Sequence, residues 1–401
     1  MPAFVFPGQG SQRPGMGRPW VDHPSWDVVV DASTACGRDL AHLLLDADAD
    51  ELTETRNAQL ATVTLSMVVL DAVERLGIEP TTCAGHSVGE YTALVAAGAL
   101  GFDDGVRLVA ERGEAMQSAA DASPGGMVVV AGTDPETVDI ACRLADGLVW
   151  VANHNSPDEM VIAGEPGALA AAGAICRELG ARSLRPVEVG GAFHTPLMAP
   201  ARDRLRKALA ATTFHPADVP VVANVDGRAH REPSDFPRLL SAQLCSPVRW
   251  HRSLMRLGGL HEKGGTGERL FVEIGPGGSL AATIARSLPS TTTVSLAAPA
   301  DLDRLVDAVA GDSALHAFAV GHQGEQLYVS ERLVVSPGAG VFEPAGPATD
   351  PAGGPVEVGT LLGRVGAAEV RSPFAGHLVG VLAHQGERVQ TGQPIAWLRA
   401  S

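Results

Sequence analysis

Apolar and polar positions recur with two different periods along this chain, and the changes of period divide it. Residues 3–6 (AFVF) are a short apolar run that leads into the glycine-rich PGQG, as a buried strand leads into a loop. Residues 60–76 (LATVTLSMVVLDAVERL) carry apolar side chains at helical spacing. TTCAGHS at 81–87 reads as a second short strand. GEYTALVAAGAL at 89–100 then places Tyr91, Leu94 and Val95 on one helical face and stops at Gly98. Another helical pattern runs through Arg112 and Met116. Strand, helix, strand, helix predicts an α/β domain with a mainly parallel sheet.

Between residues 125 and 190 the pattern changes. Four short β-rich runs (GGMVVVAG, LVWVANHN, EMVIAGE and ARSLRPVEV) are separated by two helical stretches, DPETVDIACRLA and EPGALAAAGAICRELG. This alternation predicts a small α+β subdomain inserted into the larger unit, which resumes with GAFHTPLMAPARDRLRKALA and RLFVEIGPGGSLAATIARSL. From Val334 onward the chain consists of strand-length runs broken by Gly and Pro. VVSPGAGVFEPA at 334–345 is echoed by VRSPFAGHLVGVLA at 370–383, and PVEVGTLLGRV at 355–365 by RVQTGQPIAWL at 388–398. Such an echo is the mark of a duplicated all-β unit, with GPATDPAGGP as a turn-rich loop between the copies. The expected boundaries are 1–124 with 191–300 for the α/β core, 125–190 for the inserted subdomain, 301–325 for a linker and 326–401 for the β unit.

Composition narrows the classes. A chain of 401 residues with 45% hydrophobic residues can build two or three packed units. Its net charge of −16 argues against a nucleic-acid or anionic-membrane surface, although one arginine can still hold an acidic substrate locally. Five scattered cysteines without C-x-x-C spacing point to a reducing, cytoplasmic setting with no structural zinc. The first residues do not read as a signal peptide, and no apolar run is long enough to span a membrane.

The chemistry gathers at AGHSVGEYTALVAAG, residues 84–98. Gly85, Ser87 and Gly89 give G-x-S-x-G, the strand-to-helix elbow that lifts a serine hydroxyl clear of the backbone. The same spacing also suits a plain Gly-Ser turn before a helix. A serine nucleophile needs a base, and His194 in GGAFHTPLM is the best-placed histidine in the sequence. His86 lies inside the elbow itself.

Seven motifs in order then identify a family. FPGQGSQ, GHSVGE, ERGEAMQ, NHNSP, GAFHTPLM, QLCSPVRW and EIGPGGSL, spread over residues 3–298, resemble the malonyl-CoA:acyl carrier protein transacylases of fatty-acid and polyketide synthesis. The resemblance implies a hydrolase-like parallel-sheet core with a ferredoxin-like insert. It makes Ser87 the nucleophile and His194 the general base, with the backbone carbonyl of Gln243 holding the other ring nitrogen in place of a carboxylate. It assigns the oxyanion hole to the amides of Gln9 and Val88. Arg112 would bind the malonyl carboxylate. Phe193 would set a steric ceiling that favours malonyl over methylmalonyl, and Val88 fits the same preference. Asn153, Asn155 and His86 would shape the substrate pocket. The family commonly has Gln-Pro where this chain has Gln59–Leu60, a departure expected to lie away from the chemistry.

The last segment resembles the biotinyl/lipoyl carrier domains, a flattened barrel-sandwich. In that family a hairpin presents a modified lysine. The matching stretch here, LGRVGAAEVRSP at 362–373, has no lysine, and none follows Lys263. No biotin, lipoate, other cofactor or metal is therefore expected, and the unit reads as an unmodified module for dimerisation, stability or docking to a carboxylase or synthase. The expected partners are malonyl-CoA and an acyl carrier protein. An acidic enzyme that meets an acidic carrier needs a local basic patch. A hydrolase using the same site, or a carrier-docking scaffold, would be the competing functions.

Overall fold

The computed structural model describes residues 2–262, 269–311, 331–345, 355–373 and 375–399. The chain forms two compact units, with the boundary beyond Gly311.

In the first unit, β1 (Ala3–Phe6) leads through three short helices, α1 (Asp27–Cys36), α2 (Leu40–Leu45) and α3 (Ala49–Thr53), into the long α4 (Thr55–Arg75). Next come β2 (Thr82–Gly85), α5 (Gly89–Ala96) and α6 (Phe102–Ala122). The insert contributes β3 (Gly126–Ala131), α7 (Pro135–Leu144), β4 (Val149–Ser156), β5 (Glu159–Gly164), α8 (Pro166–Glu178) and β6 (Ser183–Val187). The unit is completed by α9 (Ala199–Ala211), β7 (Val221–Val222), β8 (Ala229–His230), α10 (Phe236–Gln243), α11 (Trp250–Glu262), β9 (Arg269–Ile274), α12 (Ser279–Ser287), β10 (Thr291–Leu296) and α13 (Leu302–Gly311).

Six strands make one sheet in the order β10-β9-β1-β2-β7-β8. All pairs are parallel except β7–β8, which is antiparallel. The link between β7 and β8 is too short for a crossover, so the chain turns straight back and the sheet is mixed at that edge. Parallel central strands are buried on both faces, which explains why AFVF and TCAG are wholly buried instead of alternating. On one side Trp250, Leu254, Leu257 and Ile284 from α11 and α12 pack against Ala3, Val5 and Phe271 of the sheet. Because all four central strands run the same way, the loops after β1, β2 and β7 emerge at one edge, where the site is built.

The insert is a four-stranded antiparallel sheet, order β4-β5-β3-β6, with its own core of Val130, Met160, Ile162, Ala172 and Cys176.

Residues 302–311, expected to belong to a linker, instead form α13. That helix packs against β10 and β9 with Leu305 fully buried, so its apolar stripe belongs to the first unit. The rest of the expected linker and most of the turn-rich 346–355 loop lie outside the described residues.

The second unit contains β11 (Glu331–Val335), β12 (Gly340–Pro344), β13 (Pro355–Val356), β14 (Leu361–Val365), β15 (Ala368–Arg371), β16 (Gly376–Val381), β17 (Arg388–Val389) and β18 (Pro394–Arg399). Two four-stranded sheets, β11-β18-β16-β13 and β15-β14-β12-β17, enclose Phe342, Leu362, Leu378, Ile395 and Leu398. Replacing each strand by its counterpart in the sequence repeat (β11 by β15, β12 by β16, β13 by β17, β14 by β18) turns one sheet order into the other. The duplication seen in sequence is thus a two-fold relation between sheets, and the repeated Ser336 and Ser372 are both buried.

Candidate active site

Ser87 sits between β2 and α5 with φ of 53°, a left-handed conformation unusual for serine. The elbow requires its two glycines. A Cβ on Gly85 would lie 1.9 Å from Gly89, and one on Gly89 would lie 2.3 Å from the Phe6 carbonyl oxygen. Gly8 is constrained in the same way, because its Cβ would come within 2.6 Å of the His86 carbonyl oxygen. The PGQG loop after β1 therefore lies directly on the elbow. Asn224, two residues past β7, ties the turn together: its Oδ1 accepts from the Ser87 amide at 2.7 Å and its Nδ2 donates to the Gly85 carbonyl at 2.6 Å.

His194 also holds a left-handed backbone, with φ of 60°. Its Nε2 lies 2.8 Å from Ser87 Oγ, and its Nδ1 lies 2.8 Å from the Gln243 carbonyl oxygen. A carbonyl only accepts, so in the neutral ring the proton sits on Nδ1 and Nε2 is left to take the serine proton. Burial, reinforced by the cation of Arg112, pushes the His194 imidazole down to about 3.

Arg112 on α6 is fully buried. Its Nη2 donates to Ser87 Oγ at 3.1 Å and to Gln243 Oε1 at 2.9 Å, and its Nη1 donates to Gln59 Oε1 at 2.6 Å. The guanidinium also stands over the Tyr91 ring, 5.8 Å from its centroid. Behind it lies Glu90, whose Oε2 accepts from Gln243 Nε2 at 2.7 Å and from the Asn224 amide at 3.2 Å. Burial raises the Glu90 carboxyl to about 7, against the opposing pull of those donors and of Arg112.

A cavity of about 260 Å³ opens beside Ser87. Gln9, His86, Asn153, Asn155, Phe193 and His194 line it with the serine. His86 Nε2 meets Asn155 Oδ1 at 3.2 Å, and Asn155 Nδ2 donates to Glu159 at 3.2 Å. Of the remaining sequence-predicted residues, Arg112, Val88 and Gln243 form the buried floor behind the serine. Among the described residues, no cluster of His, Cys, Asp or Glu is arranged to hold a metal.

One expectation is corrected. Gln59 does not lie away from the chemistry: it is buried within α4 and holds Arg112, because α4 is buried without a break from Asn57 to Leu70. Glu90 and Asn224 were not singled out from sequence either. The signal for Gln59 was a carboxamide in an otherwise apolar helix, and for Asn224 a polar residue that ends the apolar run VPVVA. For Glu90 it was a carboxylate two residues into a buried helix.

Comparison with known proteins bears on this geometry. Residues 3–314 match the acyl transferase domain family. The malonyl CoA-acyl carrier protein transacylase of Bacillus subtilis (strain 168) is 39% identical over 306 residues, spanning 75% of this chain and 95% of that protein. The Escherichia coli (strain K12) protein of the same name is 38% identical, spanning 74% and 96%. Among solved structures, the MCAT of Streptococcus pneumoniae superposes with a TM-score of 0.70 at 37% identity, covering 77% of this chain and 100% of that one. A malonyl-transacylase solved with its holo type II PKS acyl-carrier protein gives 0.72 at 34% identity, covering 76% and 99%.

Proposed function

Because the chain belongs to the acyl transferase domain family, among the malonyl CoA-acyl carrier protein transacylases, we propose the following assignment of its reaction to its residues. The protein transfers a malonyl group from malonyl-CoA to the phosphopantetheine thiol of an acyl carrier protein, through an ester on Ser87.

Ser87 Oγ attacks the thioester carbonyl while His194 Nε2 takes the hydroxyl proton. The tetrahedral intermediate collapses, the C–S bond breaks and His194 returns the proton to the departing thiolate. In the second half His194 deprotonates the carrier thiol, which attacks the ester and releases Ser87. The Gln243 carbonyl keeps the imidazole in the one tautomer that serves both halves. The amides of Gln9 and Val88 receive the oxyanion; losing one such donor removes about 3 kcal/mol of transition-state stabilisation.

The observation that carries the malonyl assignment is a buried guanidinium 3.1 Å from the nucleophilic oxygen. No carboxylate accepts a hydrogen bond from it among the described residues; its polar partners are the two carboxamides and the serine hydroxyl. Glu90 reaches the guanidinium only through Gln243, so a malonyl carboxylate supplies the directly bonded anion, bidentately. That anion also offsets the Arg112 charge that depresses His194, so the base strengthens when the right substrate arrives. Phe193 limits room over the α-carbon; one methyl there is worth about 1–3 kcal/mol.

The inserted unit reads as ferredoxin-like, on the strength of its β-α-β-β-α-β order and its β4-β5-β3-β6 sheet. The second unit reads as a barrel-sandwich carrier fold without its lysine, supported by the two-fold relation of its sheets and by Gly366–Ala367 at the tip of the β14–β15 hairpin.

Intact mass after mixing with malonyl-CoA tests the reading. A malonyl adduct on the parent but not on Ser87→Ala, discharged by holo carrier protein, is the expected result. An adduct that disappears in water alone would make the protein a hydrolase.

A further inference from the structure

Three carboxylates are buried among the described residues: Glu90, Glu159 and Glu273. Glu90 stands behind Arg112 and Gln243. Glu273 accepts the Leu280 and Ala281 amides at 2.9 and 3.1 Å, and so is spent on the first turn of α12. Glu159, on β5 of the insert, takes no part in the transfer steps, yet it lines the cavity beside Ser87. Its Oε2 is anchored from the α/β core by Arg286 Nη1 of α12 at 3.0 Å, with Arg185 of β6 at 3.8 Å. Its Oε1 accepts from Asn155 Nδ2 at 3.2 Å. A carboxylate cannot donate, so the Asn155 carboxamide turns its NH2 to Glu159 and its oxygen to His86. That oxygen lies 3.2 Å from His86 Nε2 and only accepts, so the His86 proton sits on Nε2. Burial holds the His86 imidazole below the ordinary histidine range, so the ring is neutral and Nδ1 carries a lone pair.

The side of the ring that carries Nδ1 faces the PGQG loop: a Cβ on Gly8 would come within 3.2 Å of that nitrogen. The next residue, Gln9, gives the amide assigned to the oxyanion. Trp250, the first residue of α11, meets the His86 ring edge-on at 5.5 Å, so the ring does not withdraw freely from the loop. The ring nitrogen that holds the proton therefore decides whether a lone pair or an N–H presses on the loop. A hydrogen on Nδ1 would crowd Gly8 and push the Gln9 amide away from the developing charge, where oxyanion donors need close placement.

We propose that Glu159 is a positioning residue of the acyl transfer: through Asn155 it fixes the His86 tautomer, and with it the place of the Gln9 amide. The proposal rests on the transfer reading above, in which Ser87 is acylated beneath that loop. The relay has a direction that one substitution reverses. In Glu159→Gln the Arg286 guanidinium keeps the carbonyl oxygen of the new side chain, whose NH2 then faces Asn155. Asn155 turns its own oxygen to that NH2 and its NH2 to His86. Nε2 becomes the acceptor, and the proton moves to Nδ1.

The test is nitrogen NMR of the full chain carrying isotope-labelled histidine, with His86→Asn to identify the two ring signals, beside the rate of Ser87 acylation by malonyl-CoA and by acetyl-CoA. The parent should show a protonated Nε2 on His86, and Glu159→Gln a protonated Nδ1. In the variant, kcat for acylation should fall about 2- to 10-fold, the net worth of one hydrogen bond, with both thioesters alike and with KM unchanged. Asn155→Leu removes the link, so adding Glu159→Gln to it should lower kcat no further. The proposal is overturned if parent and variant share one tautomer. It is overturned as well if the loss is confined to malonyl-CoA, which would route it through Arg112. A loss equally large in the Asn155→Leu background would also overturn it and leave Glu159 to packing alone. A parent that acquires no malonyl adduct would overturn the transfer reading, and the nitrogen signals would still decide the relay.

Discussion

Ser87 and His194 are the two non-glycine residues that hold left-handed backbone among the described residues, and their Oγ and Nε2 meet at 2.8 Å. Strain confined to the two reacting residues is a cost of about 1–3 kcal/mol each, sustained because the surrounding packing fixes both turns. Ser87→Ala should abolish the malonyl adduct while leaving the fold intact. His194→Ala should slow Ser87 acylation about 10²- to 10⁴-fold, the usual worth of a positioned base. Rapid-quench mass spectrometry of the first turnover measures both; a His194→Ala enzyme that acylates at the parent rate would remove the base from the mechanism.

Arg112 separates acids from neutral acyl groups. Its removal takes away a charge-assisted pair worth about 1.5–3 kcal/mol, so Arg112→Ala should lower kcat/KM for malonyl-CoA about 10- to 100-fold. Acetyl-CoA brings no carboxylate and should lose far less or gain. Equal losses with both thioesters would mean that Arg112 serves the fold or the serine hydroxyl and not the substrate carboxylate.

Gln59→Leu probes the part of the site that sequence reading misplaced. The substitution leaves Arg112 Nη1 buried without its 2.6 Å acceptor. An unpaired donor of this kind costs about 1–3 kcal/mol, part of it in stability and part in Arg112 orientation. KM for malonyl-CoA should rise while Ser87 acylation by acetyl-CoA changes little. Parallel kinetics with the two thioesters decide it, and a loss of thermal stability with unchanged malonyl selectivity would confine Gln59 to packing.

That result bears on what was legible beforehand. Short-range motifs carried the elbow, because Gly85, Ser87 and Gly89 meet within one turn. His194 stood out as the best-placed histidine, and the family resemblance singled out its pairing with Ser87, which spans 107 residues. The duplicated β unit was visible because its two copies share sequence, and the fold places them as exchanged sheets. Gln59, Glu90 and Asn224 escaped because each acts through another side chain, and only packing shows which one it touches. The boundary at 301 was misplaced for a related reason: the apolar stripe of α13 acquires meaning only against β9 and β10.

The pH profile follows from two opposed shifts. His194 is pushed down to about 3, so it stays neutral and competent as pH falls through the ordinary histidine range. Ser87 acylation should therefore not drop around pH 6.5. Glu90 is raised to about 7, so its carboxyl gains a proton as pH falls through neutrality, weakening the anionic support behind Gln243 and Arg112. Any inflection near neutrality should appear in KM for malonyl-CoA and vanish in Glu90→Gln. A loss of kcat near pH 6.5 that persists in Glu90→Gln would place His194 in its usual range and contradict the influence of burial.

The hairpin tip of the second unit offers the last test. On the carrier-fold reading proposed above, the lysine amine that takes biotin or lipoate would stand at the β14–β15 tip, where this chain carries Gly366 and Ala367. Gly366 holds φ of 59°, so the turn depends on it, whereas the exposed Ala367 lies outside the left-handed region and tolerates a side chain. The parent protein, incubated with a biotin ligase, biotin and ATP, should show no gain in mass. Ala367→Lys restores the missing amine on an unchanged hairpin and should gain a single biotinyl group by intact mass. Modification of the parent would show that an amine elsewhere in the chain is presented to the ligase, and the unit would then be a working carrier. An unmodified Ala367→Lys variant would mean that the flanking ion pairs of Glu369 with Arg364 and Arg371 have remade the tip into a surface the ligase does not accept.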